Sequence, residues 1–494
     1  MKLTYIIDAL LLCSACNKFL DKDPLSTATD QTTWKSEADA NASVAACYSL
    51  LRSAFNASIQ FYVYGDLPTD EFTPDFVLGG DGNVAYMNAA KVNWGVSVPV
   101  ANVYDVRLKL RVYTNFYSAI AQSNRCLHFI NTMPESVFKN SSRNKYLGEA
   151  YFTRAFAYFY MARVWGDVPL DTTYYADNST APQLARKPQA EVLAQCIADL
   201  DMARQFLAWK DASSSDRVVR GDKGAVFALL AHLYAWKGDY DKCNAACDSL
   251  IKSGSYSLLP AASYMNLYKG QSDESIFEIS NNSTSESLLT ASSITGYTVC
   301  APYLKGITIP QWQFNNATIA GLYYAEGDTR YKQAFTIASS GSSDYFSCIK
   351  YAQVEYINNN TSYSIAKNNL LIFRLADIKL LKAEALAAKA SPDEAGAITL
   401  VNEIRTRAGI PAYGSISGAA LQDSIVAERG RELFLEGSRF YDFVRLARNT
   451  GHIKFPYINA TEFAQGKYYW PLDPSLFLLN SKLTQTPYWQ GKIQ

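Results

Sequence analysis

Histidine is nearly absent from this sequence, with three residues among 494. The chain has no His-Glu-x-x-His motif and no Gly-x-x-x-x-Gly-Lys-Ser/Thr loop, so common signatures of metal-dependent hydrolysis and nucleotide binding are missing. The 46 Lys and Arg residues are balanced by 46 Asp and Glu residues, so no basic excess favours nucleic-acid binding. Paired carboxylates that cleave glycosidic bonds stay open as an alternative, because such a pair is spatial.

Long apolar runs are also lacking, apart from a short one at the N-terminus. The stretch MKLTYIIDALLL is too short for a bilayer span, which needs about 20 apolar residues. Its layout, a lysine followed by an apolar run and then small residues, is typical of a secretory signal. Any attachment to a membrane is therefore expected to come from this end of the chain.

Two cysteines lie just after that run, in LLCSACNKFLDKDP. A thioredoxin-like pair, two incidental cysteines and a bacterial lipoprotein signal are the three interpretations. Small residues precede Cys16, as a lipoprotein signal requires, whereas a bulky leucine precedes Cys13. We therefore predict a signal peptide over 1–15, lipidation of Cys16 after cleavage, and a polar tether over 16–32.

The nine cysteines do not show the spacing of a disulfide framework. Seven remain if the signal is removed and Cys16 is acylated, and an odd number leaves at least one free thiol. Cys243 and Cys247 lie four residues apart on a predicted helix, with no matching His or Cys nearby. We interpret them as small packing residues and predict neither a metal site nor a cofactor.

Helical periodicity predicts a mainly α protein. Two consecutive predicted helices, 222–237 and 240–253, are joined by Lys-Gly-Asp-Tyr, which is the helix–turn–helix pattern of tetratricopeptide-type repeats. The same pattern recurs over 371–407. Further helices are predicted over 104–131, 143–165 and 188–209.

Two stretches interrupt the helical pattern. Residues 60–103 are dense in glycine and proline, which predicts irregular structure or short strands. Residues 255–369 are rich in Ser, Asn, Gly, Thr and Tyr and contain the strand-like SIFEIS at 275–280. Aromatic residues make up 13% of the chain, and several lie in these stretches. Exposed rings beside polar side chains suit a binding surface, although packing is the first expectation for any single ring.

The densest charged segment is AERGRELFLEGSRFYDFVRLAR, residues 427–448. Glu428, Glu432 and Glu436 recur every four residues among five arginines. Arginine binds carboxylates through two parallel hydrogen bonds. We interpret the segment as a helix–Gly437–helix joint that ion pairs stabilise, with a structural rather than a catalytic role.

Seven segments together resemble the SusD/RagB family, the surface nutrient-binding lipoproteins of Bacteroidota. The segments are CNKFLDKDP, GEAYFTRAFAYFYMARVWGDVPL, GDKGAVFALLAHLYAWKGDY, FRLADIKLLKAEALA, VNEIRTRAGI, ERGRELFLEGSRFYDFVRLA and YYWPLDPSLFLLNSKLTQTPYW. Each segment alone is a weak match. Their order and spacing over nearly the whole chain make the resemblance specific.

The resemblance implies a mainly α, SusD-like fold in which tetratricopeptide-like helix pairs form a scaffold and a loop-rich half binds the ligand. It implies a single domain over 33–494, with an N-terminal part of about 33–250 and a C-terminal part of about 255–494. It implies binding without catalysis, so the protein is expected not to be an enzyme. The implied ligand is an oligosaccharide in most of the family and a peptide in the RagB branch.

The resemblance also implies a lipid-anchored protein at the outer membrane that faces the cell surface. Its implied partner is a SusC-like TonB-dependent transporter, over whose mouth the lipoprotein sits as a lid. Two other classes stay open. A surface glycan hydrolase would have two acids facing one cleft, and a structural repeat adaptor would have a concave helix groove without an aromatic pocket.

We place the ligand site where residues 60–103 meet residues 290–325, because comparable regions bind ligand in the family. These loops match no fixed motif, so the choice of residues rests on their chemistry. Two tryptophans would stack on the ligand, a tyrosine would add a ring and a hydroxyl, and two polar residues would orient ligand hydroxyls or amides. These residues are, in that order, Trp94, Trp312, Tyr297, Asp70 and Asn93.

Overall fold

The computed structural model describes residues 33–73, 81–96, 105–140, 142–210, 214–283, 285–324, 327–341 and 343–493. The predicted signal peptide, Cys16 and the tether lie outside these residues. Among the helices of the described part, none is both long enough and apolar enough to cross a membrane.

Helices dominate the fold, as the sequence predicts. In the N-terminal half they are α1 (Glu37–Asn56), α2 (Gln60–Gly65), α3 (Asp81–Ala90), α4 (Val106–Leu110), α5 (Thr114–Thr132), α6 (Ser142–Trp165), α7 (Gln189–Phe206), α8 (Lys223–Lys237) and α9 (Tyr240–Lys252). In the C-terminal half they are α10 (Ile294–Thr298), α11 (Asn316–Tyr323), α12 (Thr329–Ala334), α13 (Leu375–Ala388), α14 (Glu394–Arg407), α15 (Gly418–Glu432), α16 (Arg439–Thr450), α17 (Ala460–Ala464) and α18 (Ser475–Leu479).

The long helices stack in pairs along the chain. α1 packs on α5, α5 on α6, α6 on α7 and α7 on α8, and the series continues through α9 and α13 to α14, α15 and α16. The turn between α8 and α9 shows why the sequence folds this way. Gly238 ends α8 with a φ of +77°, and the Asp239 side chain accepts a hydrogen bond from the backbone N–H of Lys242 at the start of α9. The predicted tetratricopeptide-type scaffold is confirmed.

Eleven short strands are described between the helices, and they pair antiparallel in five small sheets. The pairs are β1 with β6, β2 with β3, β4 with β11 and β7 with β8, while β10 lies between β5 and β9. Their bounds are β1 (Phe72–Thr73), β2 (Val168–Pro169), β3 (Arg186–Lys187), β4 (Ser275–Ile279), β5 (Leu288–Leu289), β6 (Gln313–Phe314), β7 (Phe335–Ser340), β8 (Ser343–Cys348), β9 (Val354–Tyr356), β10 (Ser364–Ala366) and β11 (Leu370–Arg374).

Two local predictions were wrong. The helix predicted over 104–131 is interrupted after α4, where Arg111 forms an ion pair with Asp473 at 2.7 Å and the Tyr113 ring packs against Trp165. The glycine-rich stretch 60–103 contains the helices α2 and α3 in addition to strand β1. In both places long-range packing outweighs the local sequence signal.

The main hydrophobic cluster includes side chains from both halves of the chain, from Leu51 to Trp489. The seven cysteines of the described residues are all buried and free. The Sγ atoms of Cys47 and Cys126 lie 3.9 Å apart in a second cluster under α1 and α5. Burial in apolar surroundings agrees with the interpretation of Cys243 and Cys247 as packing residues.

The charged segment 427–448 forms the predicted joint, with α15 and α16 on either side of Gly437, whose φ is +71°. Its ion pairs, however, do not stay within the segment. Glu432 contacts Arg330 at 2.7 Å and Arg374 at 2.5 Å, and it also pairs with Arg407. The network therefore connects the joint to β11, α12 and α14. The sequence of the segment alone does not predict these partners.

Candidate functional site

Three aromatic rings meet where α3 approaches α10 and β6. The ring centroids of Tyr86 and Trp312 are 4.9 Å apart, those of Tyr297 and Trp312 are 4.8 Å apart, and those of Tyr86 and Tyr297 are 5.4 Å apart. Tilted and edge-to-face arrangements at such distances are favourable contacts between aromatic rings. We call these three residues the ring cluster.

The ring cluster is assembled by a short strand pair. Phe72 of β1 lies opposite Phe314 of β6, and the Phe72 ring packs edge-on against Trp312 with centroids 5.5 Å apart. The backbone N–H of Trp312 donates a 2.8 Å hydrogen bond to the carbonyl oxygen of Tyr297. The two loop-rich stretches named from the sequence therefore do meet.

The two tryptophans chosen as stacking platforms are buried. Trp94 is 1% exposed and packs on Trp470 with centroids 4.6 Å apart, and Trp312 is 0% exposed behind the other two rings of the cluster. Neither indole presents a face to solvent in this structure, so the expectation that both rings are exposed is not met. The physical reason is that an indole buries a large apolar area wherever partners such as Trp470 or Phe72 are within reach.

Tyr297 and Asn93 differ from the two tryptophans because both reach the surface. The Tyr297 ring is half-buried against the core, and Asn93 is exposed just after α3. The amide nitrogen of Asn93 lies 3.4 Å from the side-chain oxygen of Asn88, so two amides are available side by side. Tyr86, which the sequence analysis did not single out as a site residue, packs edge-to-face with Tyr297 and donates a 3.3 Å hydrogen bond to the Ser58 carbonyl oxygen.

Asp70 has a structural partner. Its two carboxylate oxygens accept hydrogen bonds of 3.0 and 2.9 Å from Arg439, and its side chain is 29% exposed. Nearby, the buried carboxyl of Asp66 accepts hydrogen bonds from the backbone N–H groups of Gly437 and Ser438. Burial raises the pKa of Asp66 to about 8. These contacts hold the segment that leads to β1 on the joint between α15 and α16.

The half-buried Tyr297 ring offers a surface suited to non-covalent recognition of a polar ligand. Among the described residues, no group of three or more His, Cys, Asp or Glu residues is arranged to hold a metal ion. The ligand-binding role of Asp70, Asn93, Trp94, Tyr297 and Trp312 stays a prediction.

Two family profiles match the chain. One, described as the SusD family, covers residues 307–489, and the other, described as starch-binding associating with outer membrane, covers residues 18–235. The chain belongs to the SusD/RagB family. Residues 236–306, which include Tyr297, lie outside both matches.

Relatives of this SusD/RagB chain match it over most of its length. SusD-like protein P38 of Formosa agariphila is 28% identical over 98% of both chains. A solved SusD homolog from Bacteroides thetaiotaomicron is 27% identical, with a TM-score of 0.80 over 93% of this chain and 100% of that chain. A solved laminarin binding SusD-like protein is 21% identical, with a TM-score of 0.71 over 92% of this chain and 99% of that one, and shows the shared fold.

Proposed function

We propose that this SusD/RagB protein is a cell-surface lipoprotein that binds an oligosaccharide nutrient and delivers it to a SusC-like TonB-dependent transporter. The observation that carries the proposal is the half-buried Tyr297 ring, supported by Tyr86 and Trp312 at the junction of the two loop-rich stretches. The C–H groups of a sugar pack on such a ring, and its hydroxyls hydrogen-bond to polar side chains around the ring. No catalytic step is part of the proposal.

Attachment to the outer membrane is assigned to acyl chains on Cys16. One acyl chain binds a membrane weakly and reversibly, whereas two or more anchor stably. Residues 16–32 would then be the tether, and residues 33–494 the single ligand-binding domain at the cell surface.

The proposed ligand class is oligosaccharides. The family matched over residues 18–235 is described as starch-binding, and one solved protein of the same fold is named for laminarin binding. At 21% identity that protein supports the fold and leaves the glycan of this chain unnamed. A peptide ligand, as in the RagB branch, is an outcome that the test below distinguishes.

Isothermal titration calorimetry of the soluble chain, begun after Cys16, tests the proposal with maltooligosaccharides, laminarin oligosaccharides and a peptide pool. Tyr297→Ala is expected to weaken binding of the tightest glycan by about 30-fold, because aromatic contacts of this kind cost roughly 2 kcal/mol when truncated. Tyr457→Ala is the matched control, an exposed tyrosine outside the ring cluster that should leave affinity unchanged.

Each alternative outcome has a distinct meaning. Parent-like glycan affinity in a well-folded Tyr297→Ala variant would contradict this site. Binding of peptides and of no glycan would replace the oligosaccharide class with peptides. Release of shorter sugars during titration would identify a hydrolase instead of a binder.

A further inference from the structure

One face of helix α1 forms a wall of a surface groove. Glu37, Asn41, Ala45, Tyr48 and Arg52 follow one another at steps of four, four, three and four residues, which places them on a single side of the helix. Asn41 and Ala45 are exposed, and Tyr48 and Arg52 are half-buried. We call the depression beside this face the α1 groove.

The first lobe of the α1 groove has a volume of about 530 Å³, within the range of ligand sites. Its opposite wall includes Asn282 and Glu286, from the stretch that lies outside both family matches. Arg52 pairs with Glu286 at 2.8 Å across the lobe, and the Ser280 hydroxyl donates a 2.6 Å hydrogen bond to the same carboxylate. These contacts hold the Arg52 guanidinium and the Glu286 carboxylate in place at the edge of the lobe.

The second lobe, of about 690 Å³, begins at Glu37. Both lobes are lined by Asp216 and Arg220, so they adjoin at this turn. Arg220 donates a 2.6 Å hydrogen bond to the side-chain oxygen of Asn41, which joins the turn to α1. Trp209 also lines this lobe.

Trp209 gives the second lobe an aromatic surface. Its ring stacks on Phe227, with centroids 5.5 Å apart and ring planes 12° from parallel. Phe227 thus covers one face, and Trp209 remains half-buried at the wall of the lobe. Asn140 and Asn144 line the same lobe and add amides beside the ring.

The other end of α1 leads to the ring cluster. Just after α1, the Ser58 carbonyl accepts the hydrogen bond from Tyr86, and the groove wall at Glu286 continues through β5 to α10 and Tyr297. The 20 residues of α1 span about 30 Å at 1.5 Å per residue. The α1 side chains that line the groove, from Glu37 to Arg52, extend over about 22 Å of this length.

We propose that the α1 groove is an auxiliary binding site for the distal part of a long, neutral oligosaccharide whose end occupies the ring cluster. This inference rests on the proposed function and adds that the ligand is an extended chain. Amides and ion-paired side chains in the groove supply hydrogen bonds to many hydroxyls, and Trp209 supplies a terminal stacking surface. The ion pairs leave no large net charge, which suits an uncharged glycan.

The test measures how binding to the soluble protein depends on ligand length. Maltooligosaccharides and laminarin oligosaccharides are each used as a disaccharide and as a long oligosaccharide. A cysteine at Ala45 in the groove carries an environment-sensitive fluorophore, and a cysteine at Ala245, exposed on α9, is the matched control. Labelling is selective because the described native cysteines are buried. In unlabelled protein, Trp209→Ala and Asn41→Ala are titrated by calorimetry.

Long chains are expected to change the fluorescence at Ala45→Cys and not at Ala245→Cys, while disaccharides change neither. Trp209→Ala and Asn41→Ala should each weaken the long chain by about tenfold and leave disaccharide affinity unchanged, since only the long chain reaches them. Equal loss for both lengths, or long-chain affinity unchanged in both variants, overturns the auxiliary site while the proposed function stands. A parent protein that binds no glycan of either length overturns both.

Discussion

Glu432 is a fully buried carboxylate among the guanidinium groups of Arg330, Arg374 and Arg407. Burial alone would raise the pKa of Glu432, but the positive charges of Arg407, Arg374 and Arg330 outweigh it and hold this pKa well below its usual value. The residue therefore stabilises the fold only in its charged form. Its partners come from three different elements, so Glu432 links α15 to α12, β11 and α14.

Replacing Glu432 by alanine should lower the free energy of unfolding by about 3–5 kcal/mol, because the buried arginines lose their counter-charge. Thermal unfolding measures this loss, and calorimetry on the folded fraction should show unchanged ligand affinity. Glu403→Ala is the control, since Glu403 is 44% exposed and pairs with Lys379 at the surface. Surface pairs contribute about 0–1 kcal/mol. Lost affinity at parent-like stability would contradict the structural role.

The lowered pKa of Glu432 also predicts a pH dependence. A carboxyl whose pKa is lower in the folded state stabilises above its unfolded-state pKa, near 4.5, and loses that contribution as the pH falls towards the folded value. The difference in free energy of unfolding between the parent and Glu432→Gln should be largest at neutral pH and shrink in acid. Urea denaturation over a pH series measures it. A difference that is constant into acid would contradict the assignment.

The end of α2 lies against the joint between α15 and α16, and the two backbones approach each other at Gly65 and Gly437. A Cβ atom on Gly65 would lie 2.1 Å from the carbonyl oxygen of Gly437, a backbone atom that no rotamer change can remove. This contact, together with the Asp66 and Asp70 hydrogen bonds, sets the position of the segment leading to β1 and the ring cluster.

Gly65→Ala is therefore expected to destabilise the protein by about 1–3 kcal/mol, as overpacking of a tight contact does. Gly321→Ala is the matched control, because Gly321 also lies in a helix and a Cβ there would meet open space. The control should be neutral or stabilising by about 0.5–1 kcal/mol. Thermal unfolding of both variants checks the pair, and equal stability of the two would disprove the close approach.

Long helices could be predicted from the sequence, whereas the elements around the site could not. The helix predicted over 143–165 matches α6 closely, because a long apolar pattern ends at Gly166. α3 contains Gly82 and has little periodicity, so it depends on packing of Tyr86 against residues more than 200 positions away. Such contacts leave no local signal in the sequence.

For the whole molecule, the sequence predicts that the two loop-rich stretches meet but does not predict which of their rings are buried. The two stretches meet, and Tyr297 reaches solvent where they do. Tryptophan suits stacking, which favours Trp94 and Trp312 as predicted site residues, but their burial depends on Trp470 and Phe72, which lie far from them in the sequence. Amino-acid type indicates what a ring can bind, while burial decides whether it is accessible.

A further prediction concerns the lipid anchor proposed for Cys16. Native protein is expected to carry two or three acyl chains on Cys16, visible as added mass on an N-terminus that begins at that residue. Cys16→Ala should leave the membrane fraction when the transporter is absent. A Cys16→Ala protein that still fractionates with membranes under that condition would contradict the anchor.

The proposed function requires that a sugar ring packs on Tyr297 of the ring cluster. A crystal structure with the tightest-binding oligosaccharide from the calorimetric screen tests it most directly. We expect one sugar ring in van der Waals contact with the Tyr297 side chain. A sugar bound elsewhere, with the Tyr297 ring uncontacted, would contradict it.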